Sequence, residues 1–167
     1  SLQTDGGLSV AKDAFIGGKV QHDFVGFAVK LSADQTAITA GTFTKVTYNT
    51  ETHDPQSDYD GVTNHRYTPQ VAGVYRFRHQ MEIAGTTGLV DQGTAIPSIY
   101  LNGAVIGISR RQMIMSGTGQ QSFATEVIVS MNGSTDYVEA FMFGSAASTV
   151  IVRESASSFN GEYLGAV

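Results

Sequence analysis

The sequence contains no cysteine and no tryptophan, and only three of its 167 residues are proline. Without cysteine, a disulfide framework and a thiolate metal site are both excluded. Stability must therefore come from the burial of apolar surface, either within one chain or between several chains. A chain of this length is sufficient for one domain with a substantial core.

Charged residues are also scarce: they make up 15% of the sequence, and the formal net charge is −5. A protein that holds nucleic acid by its phosphates needs clustered basic side chains, and Arg110-Arg111 is the one adjacent pair. We therefore predict no nucleic-acid partner. The sequence has no apolar run of membrane-spanning length and no recognisable signal peptide, which predicts no membrane insertion. Because the chain begins without Met, we expect a fragment or a processed form.

Motifs typical of catalysis are missing as well. The sequence has no Gly-x-Ser-x-Gly elbow, no His-Glu-x-x-His pair and no phosphate-binding loop. We predict that the protein is not an enzyme and needs no cofactor. A depolymerase is the alternative that stays open.

The sequence does contain segments in which apolar and polar residues alternate with a period of two. The clearest example is residues 75–83, where apolar side chains and His79 share one parity and charged or amide side chains share the other. Successive side chains of a strand point to opposite faces, so this segment predicts a half-buried strand. Similar segments recur at residues 123–131 and 137–143, with Asn-Gly turns at 102–103 and 132–133. The whole pattern predicts an all-β, antiparallel sandwich or jelly roll.

The first 24 residues differ from the rest. Glycine pairs at positions 6–7 and 17–18 are separated by eleven residues, a spacing expected for short strands stacked through tight turns. We predict a β stalk segment over residues 1–24 and a head domain over residues 25–167. A floppy N-terminal arm is the alternative.

The loop at residues 51–61 carries the densest set of chemical groups. An aromatic face with nearby carboxylates suits sugar rings and hydroxyls, so the candidate receptor-binding residues are His53, Asp54, Asp58 and Tyr59. The same loop matches the first half of a calcium loop in spacing, but Tyr67 stands where the closing Glu is required. We therefore predict no metal site, with calcium as the open alternative.

Residues 67–77 resemble a known family. Tyr67, Gly73, Tyr75 and Phe77 fall at the spacing of the globular head of complement C1q, whose jelly roll is related to that of tumour necrosis factor. The resemblance extends over roughly residues 25–165, from an opening Phe-Ala-Val at 27–29 to Ser-Phe-Asn-Gly at 158–161. Departures such as Glu162 at a normally aromatic position mean that complement-type ligands are not carried over.

The resemblance implies a homotrimer in which aromatic side chains pack between subunits. The candidates for this interface, or for ordinary core, are Tyr75, Phe77, His79, Tyr100, Tyr137, Phe141, Phe143 and Tyr163. For His79 a sharper hypothesis places three copies near the trimer axis, where protonation would make them repel one another.

The glycine-rich pattern of residues 1–24 is similar to the shafts of phage tail fibres. Together with the implied trimer, it predicts the head of a phage or viral fibre, located on the virion, that attaches to a host-cell surface receptor, a glycan. Three linked weak sites would raise the avidity. The alternatives are a purely structural trimerisation or capping module, and the head of a bacterial surface or spore filament.

Overall fold

The computed structural model describes residues 24–36, 38–85, 94–112, 119–145 and 150–166. These residues form two antiparallel sheets that face each other, so the predicted all-β fold class is confirmed. The strands in chain order are β1 (Gly26–Lys30), β2 (Phe43–Lys45), β3 (Thr50–His53), β4 (Tyr59–Asp60), β5 (Arg66–Tyr67), β6 (Gly73–Gly85), β7 (Thr94–Leu101), β8 (Ala104–Ile108), β9 (Arg111–Gln112), β10 (Gln120–Met131), β11 (Val138–Gly144), β12 (Val150–Val152) and β13 (Ser158–Gly165). The predicted stalk at residues 1–24 lies almost wholly outside the described residues.

The strand order is that of a jelly roll. The first sheet runs β10-β6-β13-β1-β3, with β12 also paired to β6, and the second runs β4-β5-β11-β7-β8, with β2 on β11 and β9 on β7. Strands distant in the sequence are therefore neighbours, as when β13 inserts between β6 and β1. A 3-10 turn, Glu154–Ala156, precedes β13.

Strand β6 shows why the alternating pattern folds this way. Tyr75, Phe77 and Met81 are fully buried between the sheets, while Arg76 and Arg78 point outward and are exposed. Strand β10 pairs with β6 along twelve residues, from Gln120 opposite Ala84 to Met131 opposite Gly73. One buried face and one outward face per sheet is the arrangement that period-two alternation requires.

Aromatic rings fill the middle of the core. The ring of Phe27 stacks on Tyr67 at 4.4 Å and on Tyr59 at 5.2 Å, and it meets Phe159 edge-on at 5.0 Å. Gly161 leaves the space for this packing, since a Cβ there would lie 2.4 Å from an atom of the Phe77 ring. A larger residue at this position cannot enter without moving the core.

The Asn-Gly turns form as expected. Asn102 and Gly103, between β7 and β8, have φ of 51° and 80°, the left-handed values that a two-residue hairpin turn needs. Gly133 has φ of 70° after Asn132, whose side-chain oxygen accepts hydrogen bonds from the backbone N–H groups of Ser134, Thr135 and Asp136. The first turn joins the paired strands β7 and β8, and the second leads from β10 in one sheet to β11 in the other.

Candidate binding surfaces

Three of the aromatic-set candidates lie inside the subunit. Tyr75, Phe77 and His79 are fully buried between the two sheets. Of the two roles predicted for them, core or interface, they take the core role. Tyr163 lies beside them at the end of β13, half-buried, with its ring 5.3 Å from that of Tyr75.

The imidazole of His79 makes two polar contacts within this core. Its Nδ1 lies 3.3 Å from the carbonyl oxygen of Ser98, and its Nε2 lies 3.1 Å from the hydroxyl oxygen of Tyr48. We assign the proton to Nδ1, because a carbonyl can only accept. Burial lowers the pKa of His79 from 6.5 to about 4, against the opposing effect of the Ser98 hydrogen bond. Because the imidazole is enclosed within its own subunit, the three copies of His79 in a trimer cannot meet at the threefold axis. The hypothesis that they repel one another there is therefore wrong.

Two of the four receptor candidates are buried. Tyr59 is 5% exposed, and its hydroxyl donates to the carbonyl of Tyr48 at 3.1 Å. Burial raises the pKa of this phenol well above its usual value. Asp58 is 7% exposed and accepts hydrogen bonds from the side-chain and backbone N–H groups of Gln70. The prediction that Asp58 and Tyr59 contact a receptor is wrong, because both are committed to internal contacts.

The other two receptor candidates reach the surface. Asp54 is half-exposed, and its carboxylate accepts the backbone N–H groups of Asp58 at 3.2 Å and Tyr59 at 2.9 Å, which shapes the turn. His53 is exposed at the end of β3, with its ring 4.9 Å from that of Phe24. Their role in receptor binding stays a prediction.

The carboxylates of this region are used in separate turns. Asp60 accepts the backbone N–H groups of Val62, Thr63 and Asn64, and these hydrogen bonds, that of Thr63 first, lower its pKa to about 2. Within the described ranges, no group of three or more His, Cys, Asp or Glu side chains is placed to hold a metal ion.

The outward face of the second sheet carries an unbroken row of rings, which we call the aromatic stripe: Phe43, Tyr100, Phe141 and Phe143. The ring of Phe43 lies 5.2 Å from Phe143 and 6.0 Å from Tyr100, and the ring of Tyr100 lies 4.2 Å from Phe141. All four side chains are partly exposed. The stripe contains three of the predicted interface residues.

Parity along β11 explains why these rings face outward. Val138, Ala140 and Met142 are buried in the core, so the alternate residues Phe141 and Phe143 must point the other way. Tyr137, just before β11, is covered by the guanidinium of Arg66, 4.3 Å from its ring centroid.

Two residues of this surface were not predicted from the sequence. Phe43 lies opposite Phe143, and Lys45 lies opposite Phe141, both on the three-residue strand β2. The amino group of Lys45 forms an ion pair with Glu139 and lies 5.8 Å from the centroid of the Phe141 ring. The signal that could have found them is the short alternation of Phe43 and Lys45 with Thr44 and Val46.

Four exposed aliphatic side chains stand on the two strands at one side of the sandwich, some on the outward face of each sheet, and we call them the aliphatic edge: Val105, Ile106, Ile108 and Ile128. Their side chains are 50%, 37%, 50% and 63% exposed. They belong to β8 and β10, which end the strand orders of the two sheets and contact each other. Gly107 lets the two strands approach, since a Cβ there would lie 2.2 Å from Val127 Cγ1.

The outward face of the first sheet carries a groove across its middle strands. It has a volume of about 550 Å³ and runs between β1, β13 and the 3-10 turn. Its lining includes Phe24, Ala28, Lys30, Ser157 and Asn160. The groove therefore combines apolar surface with hydrogen-bonding groups. In the part of the chain that the structure describes, no helix has the length and apolar character needed to cross a membrane.

Solved structures share this fold. The globular domain of zebrafish complement 1qA protein is 12% identical, with a TM-score of 0.57 over 87% of this chain and 100% of that one. Murine APRIL, crystallised at pH 5.0, is 9% identical, with a TM-score of 0.58 over 85% of this chain and 100% of that one. No family model matches the chain, and no curated protein matches it.

Identities this low establish the fold and nothing finer. The similarity spans both sheets and agrees with the resemblance drawn from residues 67–77. The chain therefore has the jelly-roll fold of the complement C1q head and of APRIL, a protein of the tumour necrosis factor family.

Proposed function

We propose that the chain forms the head of a homotrimeric fibre that attaches a virion to a glycan on the host-cell surface. The observation that most directly supports a trimer is the aliphatic edge. Several large aliphatic side chains left exposed on neighbouring edge strands favour contact with another protein surface, and here Ile128 is 63% exposed while Val105 and Ile108 are each 50% exposed.

The strand beside these side chains supports the same proposal. Strand β10 is twelve residues long and ends the order of the first sheet. A long edge strand presents unpaired backbone groups and is normally covered or blunted. A neighbouring subunit would cover both the backbone edge and the aliphatic side chains.

The groove on the outward face of the first sheet is the proposed complement to this edge. The groove lies over β13 and β1, the third and fourth strands of that sheet counted from β10, so edge and groove are different parts of the subunit surface. An edge that docks into a neighbour's groove makes a head-to-tail contact, which closes into a ring when the rotation permits. The interface proposed here therefore uses aliphatic side chains in place of the outward aromatics.

Attachment follows from the trimer and from the resemblance of residues 1–24 to phage fibre shafts. Three copies of a weak glycan site on one head bind a multivalent surface together, which raises avidity without new contacts. Candidate surfaces for the glycan are the region of His53 and the outward face of the second sheet.

The test compares two lysine substitutions at exposed apolar positions. Ile128→Lys places a charge in the aliphatic edge, whereas Val62→Lys places one in the turn after β4, where Val62 is 88% exposed. We expect Ile128→Lys to dissociate the trimer to a folded monomer and to lower retention on a glycan-bearing surface about 100-fold. Val62→Lys is expected to change neither.

Two results would count against the proposal. A trimer unaffected by Ile128→Lys would remove the aliphatic edge as its interface. A trimer that binds no glycan and no host-cell surface would favour the purely structural capping module over attachment.

A further inference from the structure

We infer that the aromatic stripe, together with the Lys45–Glu139 ion pair beside it, is a binding site for a neutral oligosaccharide. This inference deepens the proposed attachment function and rests on it, because it names the surface and the class of glycan.

The first argument is the shape of the stripe. The four rings form one continuous row, with centroid separations of 4.2, 5.2 and 6.0 Å between neighbours. They stand on paired strands, with Phe43 directly opposite Phe143 in the β2–β11 register. Side chains held by a sheet lose little freedom on binding. A row of this kind offers a rigid apolar track to an extended ligand.

The second argument is the chemistry that such a track recognises. A hexose ring has a face of C–H groups and a rim of hydroxyls. The C–H face packs on an aromatic face, and the hydroxyls need polar groups at the side. The Lys45 amino group and the Glu139 carboxylate lie next to Phe141 and supply a donor and an acceptor there. The Tyr100 hydroxyl is a further polar group within the stripe.

The third argument is the size of the surface, which separates a glycan from a second copy of the chain. Four aromatic side chains of roughly 200 Å² each, exposed by about a third or less, offer under about 300 Å² together. This area by itself is well below the roughly 800 Å² that a stable protein interface takes from each partner. It is of a suitable size for a short sugar chain.

The fourth argument is charge, which points to a neutral sugar. Lys45 is paired with Glu139 and also donates to the carbonyl of Asn64 at 3.1 Å. A sugar carboxylate would have to displace Glu139 from Lys45, which leaves a carboxylate that is 6% exposed without its partner. A neutral sugar hydroxyl can share both groups without breaking the pair.

The experiment uses the intact trimer and a pair of matched substitutions. Phe43→Ser removes a ring that is 36% exposed in the stripe, and the control Val71→Ser removes an apolar side chain that is 38% exposed outside the stripe and the groove. Phe43→Tyr keeps the ring and serves as the conservative variant. Each protein is checked for its mass and thermal midpoint, then assayed on an array of neutral and anionic oligosaccharides. The affinities for the neutral glycans that bind are measured by titration calorimetry.

We expect the wild-type trimer to bind neutral hexose oligosaccharides. Phe43→Ser should weaken that binding at least tenfold, while Val71→Ser and Phe43→Tyr should stay within about twofold. If Phe43→Ser fails to form the trimer, Tyr100→Ser replaces it, and the same tenfold loss is expected because the row loses the ring between Phe43 and Phe141.

Other outcomes overturn the inference in distinguishable ways. If the folded stripe variants bind neutral glycans as tightly as wild type does, the binding site lies elsewhere, and the proposed attachment function is not contradicted. Binding to anionic glycans alone refutes the neutral-sugar inference and also leaves attachment standing. A trimer that binds no glycan of either kind and no host cell refutes both.

Discussion

Acid is expected to destabilise the folded subunit through His79. The imidazole is completely buried, and burial holds its pKa at about 4, against 6.5 for an ordinary histidine. In the unfolded chain the same group returns to its ordinary pKa. Between these two values the unfolded state binds a proton that the folded state does not, so folding loses stability as the pH falls.

The size of the effect follows from the shift. A difference between 6.5 and about 4 corresponds to about 3 kcal/mol per subunit when both states are fully titrated. Stability is fully present above pH 6.5 and declines as the pH falls towards 4. Between pH 7.5 and pH 5 the expected loss is about 2 kcal/mol.

The assay is urea unfolding followed by circular dichroism at several pH values in that interval. The matched control is His79→Gln, which cannot titrate but still offers a donor to the Ser98 carbonyl. The variant should be less stable than wild type at pH 7.5, because it loses ring packing against Phe159 and Tyr48. Its stability should vary about 2 kcal/mol less with pH. Equal pH dependence in the two proteins would refute the argument.

Three other substitutions test the packing and the turns. Gly161→Ala should lower the free energy of unfolding, measured in urea, by at least about 2 kcal/mol, because the new Cβ would lie 2.4 Å from the Phe77 ring. The control is Gly61→Ala, whose Cβ meets nothing closer than 3.5 Å and which should lower it by under about 0.5 kcal/mol. Asp60→Ala should cost about 1 kcal/mol at pH 7 by the same assay, because three backbone N–H groups lose their acceptor. The Asp60 contribution is present above the ordinary carboxyl pKa and is lost as the pH falls through about 2, so the wild-type and variant stabilities should converge only as the pH approaches 2. Tyr48→Phe should cost about 1 kcal/mol, because its hydroxyl donates to Nε2 of the buried imidazole, and differential scanning calorimetry would detect the lower midpoint.

The strands could be predicted where only one face of the sheet is apolar. In β6 the outward residues Arg76 and Arg78 are charged, so the sequence itself says which parity is buried. In β11 one parity is apolar, whereas the other mixes the charged Glu139 with the large apolar rings of Phe141 and Phe143. These two signals conflict, and the sheet pairing decides that Met142 faces the core.

The prediction that Tyr59 is exposed was wrong for a related reason. Its neighbours are polar, which favours an exposed position, but Tyr59 pairs with Tyr67, which in turn pairs with Val138. These contacts join residues far apart in the sequence and draw the phenol into the core. The stripe combines β2, β7 and β11 in the same way, so its composition depends on pairings that no single segment reveals.

The most direct test of the account is the mass of the intact chain in solution, measured by light scattering after size exclusion over a wide range of concentrations. The proposed assembly predicts a mass near three times 17.7 kDa that persists on dilution. A monomer at all concentrations would leave the jelly roll intact, but it would contradict the trimeric attachment head and the interface at the aliphatic edge.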